Sequence, residues 1–248
     1  MTGIAWDVRV VASTASTNAD VVAAASRGEP AGLVEVARHQ TSGRGRLGRG
    51  WVTPPGTALT YSVLLRPAPV PATRWSWLPL LTGCAVVAAV RDVTGVRAGL
   101  KWPNDVQVGE RKLAGILAER AGDAVVVGVG LNVRMSAAEL PTPTATSLAV
   151  EGAASVDDES LLDALLRAFA AAYDDWRKAD GVVAGARADG YRALCTTLGR
   201  AVRVHLPGDA VLDGTAADVT ESGALVVRDG SGVRHELAAG DVVHVRPA

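Results

Sequence analysis

The sequence of 248 residues is poor in cysteine, lysine and asparagine. Its two cysteines, Cys84 and Cys195, are too few for a disulfide framework and form no metal-binding pattern with the four scattered histidines. A net charge of -1 argues against broad electrostatic capture of nucleic acid or of an anionic membrane. The N-terminus has no secretory signal pattern, and no run of about 18 apolar residues predicts a membrane span. These absences favour a cytoplasmic globular protein without a protein metal site.

Acidic residues are missing between Glu35 and Asp92, a stretch that holds seven arginines. Residues 40–51, which we call the Gly-Arg loop, contain four glycines and three arginines in a pattern too irregular for a helix or a strand. Glycine lets a backbone approach a ligand closely, and arginine matches phosphate or carboxylate with a planar fork of donors. The loop therefore predicts a local anion-binding site. An RGG-type RNA-binding tract is a weaker alternative because such tracts are long and of low complexity.

Periodicity and turn residues predict an α+β chain with a mixed domain (1–196) and a small β domain (197–248). The apolar run Leu78–Val90 is predicted to be a buried helix, because it is short and interrupted. A hairpin is predicted with Gly109-Glu110 at its tip. The other predicted helices cover a segment from Ser16-Thr17-Asn18 to Gly28, then residues 75–93, 157–178 and 182–195. Predicted strands cover residues 8–12, 33–38, 59–65, 113–118, 125–129, 201–205, 214–219, 224–227 and 242–245.

Several polar residues allow both a structural and a functional interpretation. Ser16-Thr17-Asn18 is suited to cap a helix and also to face a polar small molecule. Lys112 either ends a strand in solvent or reaches an anion inside a pocket. Asn104-Asp105 has the composition of a turn, and Asn132 stands where a strand ends. No Ser-His-Asp or Cys-His arrangement is evident, so the predicted chemistry is positioning and charge neutralisation.

Six motifs occur in an order and spacing that resemble those of the biotin protein ligases, the biotin–acetyl-CoA-carboxylase synthetases. They are Ser-Thr-Asn at 16–18, Gln40 with Gly-Arg-Gly-Arg at 43–46, Trp51, Lys-Trp-Pro-Asn-Asp at 101–105, Arg-Lys-Leu-Ala-Gly-Ile-Leu at 111–117 and Gly-Val-Gly-Leu-Asn at 128–132. All three asparagines and two of the three lysines lie inside them. The resemblance implies a mixed-sheet, class II synthetase-like catalytic domain. It also implies a small C-terminal SH3-like β-barrel that includes the tail from Gly240 to Arg246.

The resemblance further implies a two-step reaction. Biotin and MgATP give biotinyl-5′-AMP and pyrophosphate, and a lysine of a biotin carboxyl carrier domain then takes the biotin and releases AMP. The catalytic residues implied are Lys112, Arg46 and Asp105. Biotin binding is implied for Ser16, Thr17, Asn18, Gln40, Gly43, Arg44, Gly45, Arg46, Lys112 and Gly115. ATP or adenylate binding is implied for Arg44, Arg46, Arg49, Trp51, Lys101, Asn104, Lys112 and Asn132.

The motifs begin so early that we expect the short form, without an N-terminal DNA-binding domain and without operator binding. Leu47 stands where relatives often have a polar residue, and we expect little effect from it. A lipoate or octanoate ligase of the same superfold and a non-enzymatic biotin- or nucleotide-binding module are alternatives. We expect no membrane association and either a monomer or a weak homodimer. Neither the oligomeric state nor the particular carrier protein can be read from one sequence.

Overall fold

The computed structural model describes residues 3–206 and 210–245. Four helices and fourteen strands alternate along this part of the chain, and a short 3-10 helix lies at Ala72–Arg74. The order is β1 (Asp7–Val11), α1 (Thr17–Ser26), β2 (Leu33–Ala37), β3 (Gly43–Arg44), β4 (Gly50–Trp51), β5 (Ala58–Leu65), α2 (Trp77–Thr94), β6 (Gly99–Lys101), β7 (Asp105–Val108), β8 (Arg111–Ala121), β9 (Ala124–Asn132), α3 (Asp158–Lys178), α4 (Ala186–Leu194), β10 (Ala201–His205), β11 (Val211–Val219), β12 (Leu225–Arg228), β13 (Arg234–Leu237) and β14 (Asp241–His244).

Seven strands form one mixed sheet in the order β1-β2-β5-β9-β8-β7-β6. Only β1 and β2 are parallel; the remaining neighbours are antiparallel. The register sets Ser62 of β5 opposite Gly128 of β9, and Gly130 of β9 opposite Gly115 of β8. One polar residue and three bare backbone positions thus lie close together in the central strands. The mixed sheet that the sequence resemblance implies is confirmed.

Helix α2 lies in the hydrophobic core, as the apolar run in the sequence predicts. Trp77, Leu78, Val86 and Val90 are each at most 1% exposed, and the helix ends at Gly95 in the left-handed conformation. By length and composition alone α2 could cross a membrane, but 61% of it is buried within the fold. Burial of this kind is typical of a core helix in a globular domain.

The C-terminal strands form a five-stranded antiparallel sheet in the order β13-β12-β11-β10-β14. Strand β13 has no counterpart among the predicted strands, and no pairing between β13 and β14 closes the sheet within the described residues. Two buried indoles fix this sheet to the larger domain: Trp77 donates to Glu221 O at 2.6 Å, and Trp102 donates to Gly223 O at 3.0 Å. Arg246 of the predicted motif lies outside the described residues, and the division at residue 196 stays a prediction.

Candidate active site

One cavity collects nearly all the predicted site residues. It lies between the N-terminus of α1, the Gly-Arg loop, strands β7 to β9 and the start of β14. Its lining includes every predicted site residue except Gly43 and Asn132: Ser16, Thr17, Asn18, Gln40, Arg44, Gly45, Arg46, Arg49, Trp51, Lys101, Asn104, Asp105, Lys112 and Gly115. The structure thus brings together residues from six motifs spread over about half of the chain.

The Gly-Arg loop is more regular than its composition predicts. Gly43 pairs with Trp51 and Arg44 with Gly50, so β3 and β4 form a small hairpin, and the expectation of an irregular segment is wrong at these positions. At the tip, Arg49 N donates to Arg46 O at 3.2 Å, which closes a four-residue turn. The hairpin contributes three arginines to the cavity lining, while Gly43 and Gly45 allow its two strands to lie close to each other.

Uncharged hydrogen-bonding groups form one end of the cavity. Ser16 caps α1 and accepts from Ala19 N at 3.5 Å, so its predicted capping role is confirmed. Gln40 Oε1 accepts from Thr17 N at 2.9 Å and from Thr17 Oγ1 at 3.1 Å. Asn18, which is 4% exposed, donates through Nδ2 to Glu119 Oε2 at 2.7 Å. These bonds hold the neutral polar groups in fixed orientations before any ligand arrives.

Positively charged side chains form another part of the lining. Arg44, Arg46, Arg49, Lys101 and Lys112 line the cavity, against the two carboxylates of Asp105 and Asp241. This excess of positive charge favours an anionic ligand group.

The cations are held by specific partners. Arg46 Nη1 donates to Asn104 Oδ1 at 3.1 Å, and burial lowers the pKa of Arg46 while the nearby Asp105 and Asp241 raise it. Lys112 Nζ lies 2.7 Å from Asp105 Oδ1 in a half-buried ion pair. The pocket interpretation of Lys112 therefore fits its position better than a solvent-facing strand end.

Bare backbone forms the floor of the cavity. A Cβ at Gly130 would overlap the Trp51 indole, and one at Gly115 would lie 3.2 Å from Lys112 Nζ and 3.3 Å from the Trp51 ring. Lys112 Nζ also lies 5.7 Å from the centroid of that ring. The Trp51 Nε1 proton is buried and has no hydrogen-bond partner among the described residues. Trp51 is therefore held against the sheet by packing and by the neighbouring cation.

Two predicted residues lie outside this lining. Gly43 lies in β3, where a Cβ would overlap Trp51 O, so the glycine lets the two strands of the hairpin approach. Asn132, 3% exposed, donates to Thr146 O at 2.8 Å, and its Oδ1 is buried without a hydrogen-bond partner in the described part of the chain. The binding roles of both residues stay predictions.

Three residues next to the site were missed by sequence reasoning. Ser62 lies under the polar end, Glu119 bonds to Asn18, and Asp241 of β14 lies 3.2 Å from Arg49 Nη2. Each stands in an ordinary strand pattern, so only the folded structure relates it to the cavity.

Comparison with known proteins gives one consistent assignment. The chain belongs to the biotin/lipoate A/B protein ligase family, whose model matches residues 10–135, and the biotin protein ligase C-terminal domain model matches residues 197–245. Among individual relatives, a biotin–[acetyl-CoA-carboxylase] ligase from Mycobacterium tuberculosis is 45% identical over 98% of this chain and 91% of its own length. A ligase of the same name from Paracoccus denitrificans is 32% identical over 94% of this chain and 98% of its own.

A solved structure supports the same assignment. The biotin protein ligase from Aquifex aeolicus in complex with biotin and ATP superposes with a TM-score of 0.80 and 26% identity, over 97% of this chain and 99% of that one. The family resemblance inferred from the six motifs is therefore confirmed, as is the fold class.

Proposed function

We propose that the chain is an ATP-dependent biotin protein ligase that forms biotinyl-5′-AMP and transfers biotin to a carrier lysine. One observation carries the proposal: the cavity is lined both by neutral hydrogen-bonding groups and by five cationic side chains. Biotin has a neutral ureido ring at one end and a carboxylate at the other, which ATP converts to an adenylate. The names of the relatives and the biotin and ATP complex of the Aquifex ligase support the same substrates.

In the first step, a carboxylate oxygen of biotin attacks the α-phosphorus of ATP, and the bond to pyrophosphate breaks. In this proposal Arg46 and Lys112, which both line the cavity, neutralise the negative charge of the carboxylate and the α-phosphate. Trp51 borders the adenine in this arrangement. Mg²⁺ enters as the counter-ion of ATP. Among the described residues, Asp105 and Asp241 are the two that supply carboxylates to the cavity, and they would hold the ion together with the phosphate oxygens of ATP.

In the second step, the neutral amine of the carrier lysine attacks the carbonyl carbon of the mixed anhydride. The bond to the AMP oxygen breaks, AMP leaves as an anion, and the new amide nitrogen loses its extra proton to solvent. In this proposal Asp105 orients the incoming amine; its carboxylate lines the cavity and lies 2.7 Å from Lys112 Nζ. When the adenylate engages Lys112, Asp105 becomes able to accept a hydrogen bond from the carrier lysine.

The acceptor that fits this chemistry is the biotin carboxyl carrier domain of an acetyl-CoA or acyl-CoA carboxylase, as the name of the Mycobacterium relative suggests. We further propose a cytoplasmic enzyme, monomeric or weakly dimeric, that binds no operator DNA and no membrane. Sedimentation with and without biotin and ATP tests the oligomeric state. Transfer to an isolated carrier domain, followed by mass, tests the acceptor.

Pyrophosphate release from MgATP with biotin, with lipoate or with no acid tests the reaction itself. We expect turnover with biotin alone, and a loss in kcat/KM of about 100-fold in Arg46→Ala and in Lys112→Ala, as for removal of other charge-stabilising groups. Arg167→Ala and Lys178→Ala are matched controls, because both cations form exposed pairs within α3. Turnover with lipoate would assign the chain to the sister activity, and binding without turnover would indicate a sensor.

A further inference from the structure

Ser62 lies at the centre of the hydrogen bonds that organise the neutral end of the cavity. It is fully buried in the middle of β5 and does not line the cavity itself. Its Oγ lies 2.6 Å from Asn18 Oδ1 and 2.8 Å from Thr17 Oγ1. A Cβ at Gly128, its partner on β9, would overlap Asn18 Oδ1, so bare backbone is required beside this contact. Ser62 thus contacts both Thr17 and Asn18 of the Ser-Thr-Asn motif, which is predicted to bind biotin.

The protons available to this cluster can be counted. Three close oxygen pairs, Ser62 with Asn18, Ser62 with Thr17, and Thr17 with Gln40, share only two hydroxyl protons. The amide oxygens of Asn18 and Gln40 can only accept. The amide of Asn18 cannot reverse to supply the missing proton, because its Nδ2 already donates to Leu117 O at 3.2 Å and to Glu119. Acceptor lone pairs therefore outnumber donor protons in this cluster, and the lone pairs left over suit a ligand that brings an N–H group.

We propose that Ser62 is a positioning residue for the substrate acid: it fixes the Asn18 amide and the Thr17 hydroxyl so that the oxygens at this end of the cavity accept from a ligand N–H. This inference rests on the proposed function, which supplies a cyclic urea as the ligand group. Ser62 does not touch the reacting carboxylate, so it acts on binding of the acid and leaves the chemical steps unchanged.

A neighbouring residue separates this role from a purely structural one. Thr60 precedes Ser62 by two positions on β5, has its side chain on the same face of the strand and is 2% exposed. Its hydroxyl donates to Ala37 O at 2.8 Å and so bonds to the backbone of β2. Removing either hydroxyl weakens the fold, but only the Ser62 hydroxyl contacts residues that line the cavity.

The test compares Ser62→Ala with Thr60→Val in the full chain, using steady-state pyrophosphate release with biotin and MgATP varied separately. We expect Ser62→Ala to raise the KM for biotin about tenfold, the usual size for a neutral hydrogen bond lost with a buried acceptor left unpaired. Its kcat and its KM for ATP should stay within about twofold of the wild type, since only uniform binding is removed. Ser62→Thr, which keeps the hydroxyl, should restore most of the affinity. Thr60→Val should lower the melting temperature without changing the KM for biotin.

The outcomes are distinct. An unchanged KM for biotin in Ser62→Ala, or an equal rise in Thr60→Val, overturns the positioning role. If Ser62→Ala does not fold, Ser62→Cys gives the same comparison, because a thiol fills the space but is a weak donor. If the wild-type protein shows no biotin-dependent turnover, the proposed function itself is wrong. If the wild type is active but its Ser62 variants bind biotin normally, only the positioning role is wrong.

Discussion

The tip of the Gly-Arg loop has a residue that is unsuited to its conformation. Leu47 has φ 56° and ψ 36°, and Gly48 follows with φ 72°. Two successive left-handed residues between Arg46 and Arg49 define a type I′ turn, in which Asn-Gly is strongly preferred. A leucine in the left-handed region brings its Cβ close to the following carbonyl oxygen, so the closed hairpin is strained at this position.

The magnitude follows from the conformation and from exposure. A left-handed residue other than glycine costs about 1–2 kcal/mol, and asparagine avoids much of this cost through its local hydrogen bonds. The Leu47 side chain is 73% exposed, so replacing it removes little packing. We therefore expect Leu47→Asn to stabilise the closed hairpin by about 1 kcal/mol, which corresponds to about a fivefold change in the ratio of closed to open loop.

The rate of hydrogen exchange of the amides in residues 43–51, measured without ligand, reports the ratio of closed to open loop. We expect exchange about fivefold slower in Leu47→Asn and unchanged in Leu47→Ala, because alanine meets the same steric cost. Val52→Asn is the matched control: Val52 is 77% exposed near the same hairpin but not left-handed. The reasoning is refuted if Leu47→Ala slows exchange as much as Leu47→Asn, or if Val52→Asn does. The experiment also tests the expectation from sequence that Leu47 has little effect.

Two further predictions concern the floor of the cavity and a carboxyl group in β2. Gly130→Ala should displace the Trp51 indole and raise the KM for ATP, because the new Cβ would overlap that ring. Gly190→Ala is the control and should do neither, because a Cβ there has no atom within 4 Å. Steady-state kinetics measure the KM, and tryptophan fluorescence reports the position of the indole. Burial and a hydrogen bond to Asp20 raise the pKa of Glu35 from 4.5 to about 7. The carboxyl group of Glu35 ionises near pH 4.5 in the unfolded chain and only near pH 7 in the folded protein. The free energy of unfolding should therefore fall as the pH rises from about 4.5 to about 7. Melting temperatures at pH 5 and pH 8 should show a smaller decrease in Glu35→Gln than in the wild type.

Local signals in the sequence predicted much of the fold. Ser16 caps α1 and Gly95 ends α2, and both effects depend on a few adjacent residues. The hairpin at Gly109-Glu110 joins β7 and β8 as predicted, because a two-residue turn pairs the residues on either side of it, here Val108 with Arg111. In contrast, β13 was missed because Arg234–Leu237 has only one strongly apolar residue and is stabilised by pairing with β12. The Gly-Arg hairpin was missed because its turn lacks the usual Asn-Gly signal.

The site was predictable as a set of residues but not as an arrangement, because the arrangement depends on register between distant strands. In the sequence, Gly115 and Gly130 are two unrelated glycines within strands. In the structure they are paired, and the space left by their missing side chains holds the Trp51 ring. Ser62 is one serine in an apolar strand until pairing places it opposite Gly128 and under α1. A one-residue shift of either strand would turn these side chains to the other face of the sheet. The register of these strands is therefore as necessary for the proposed binding as the arginines that line the cavity.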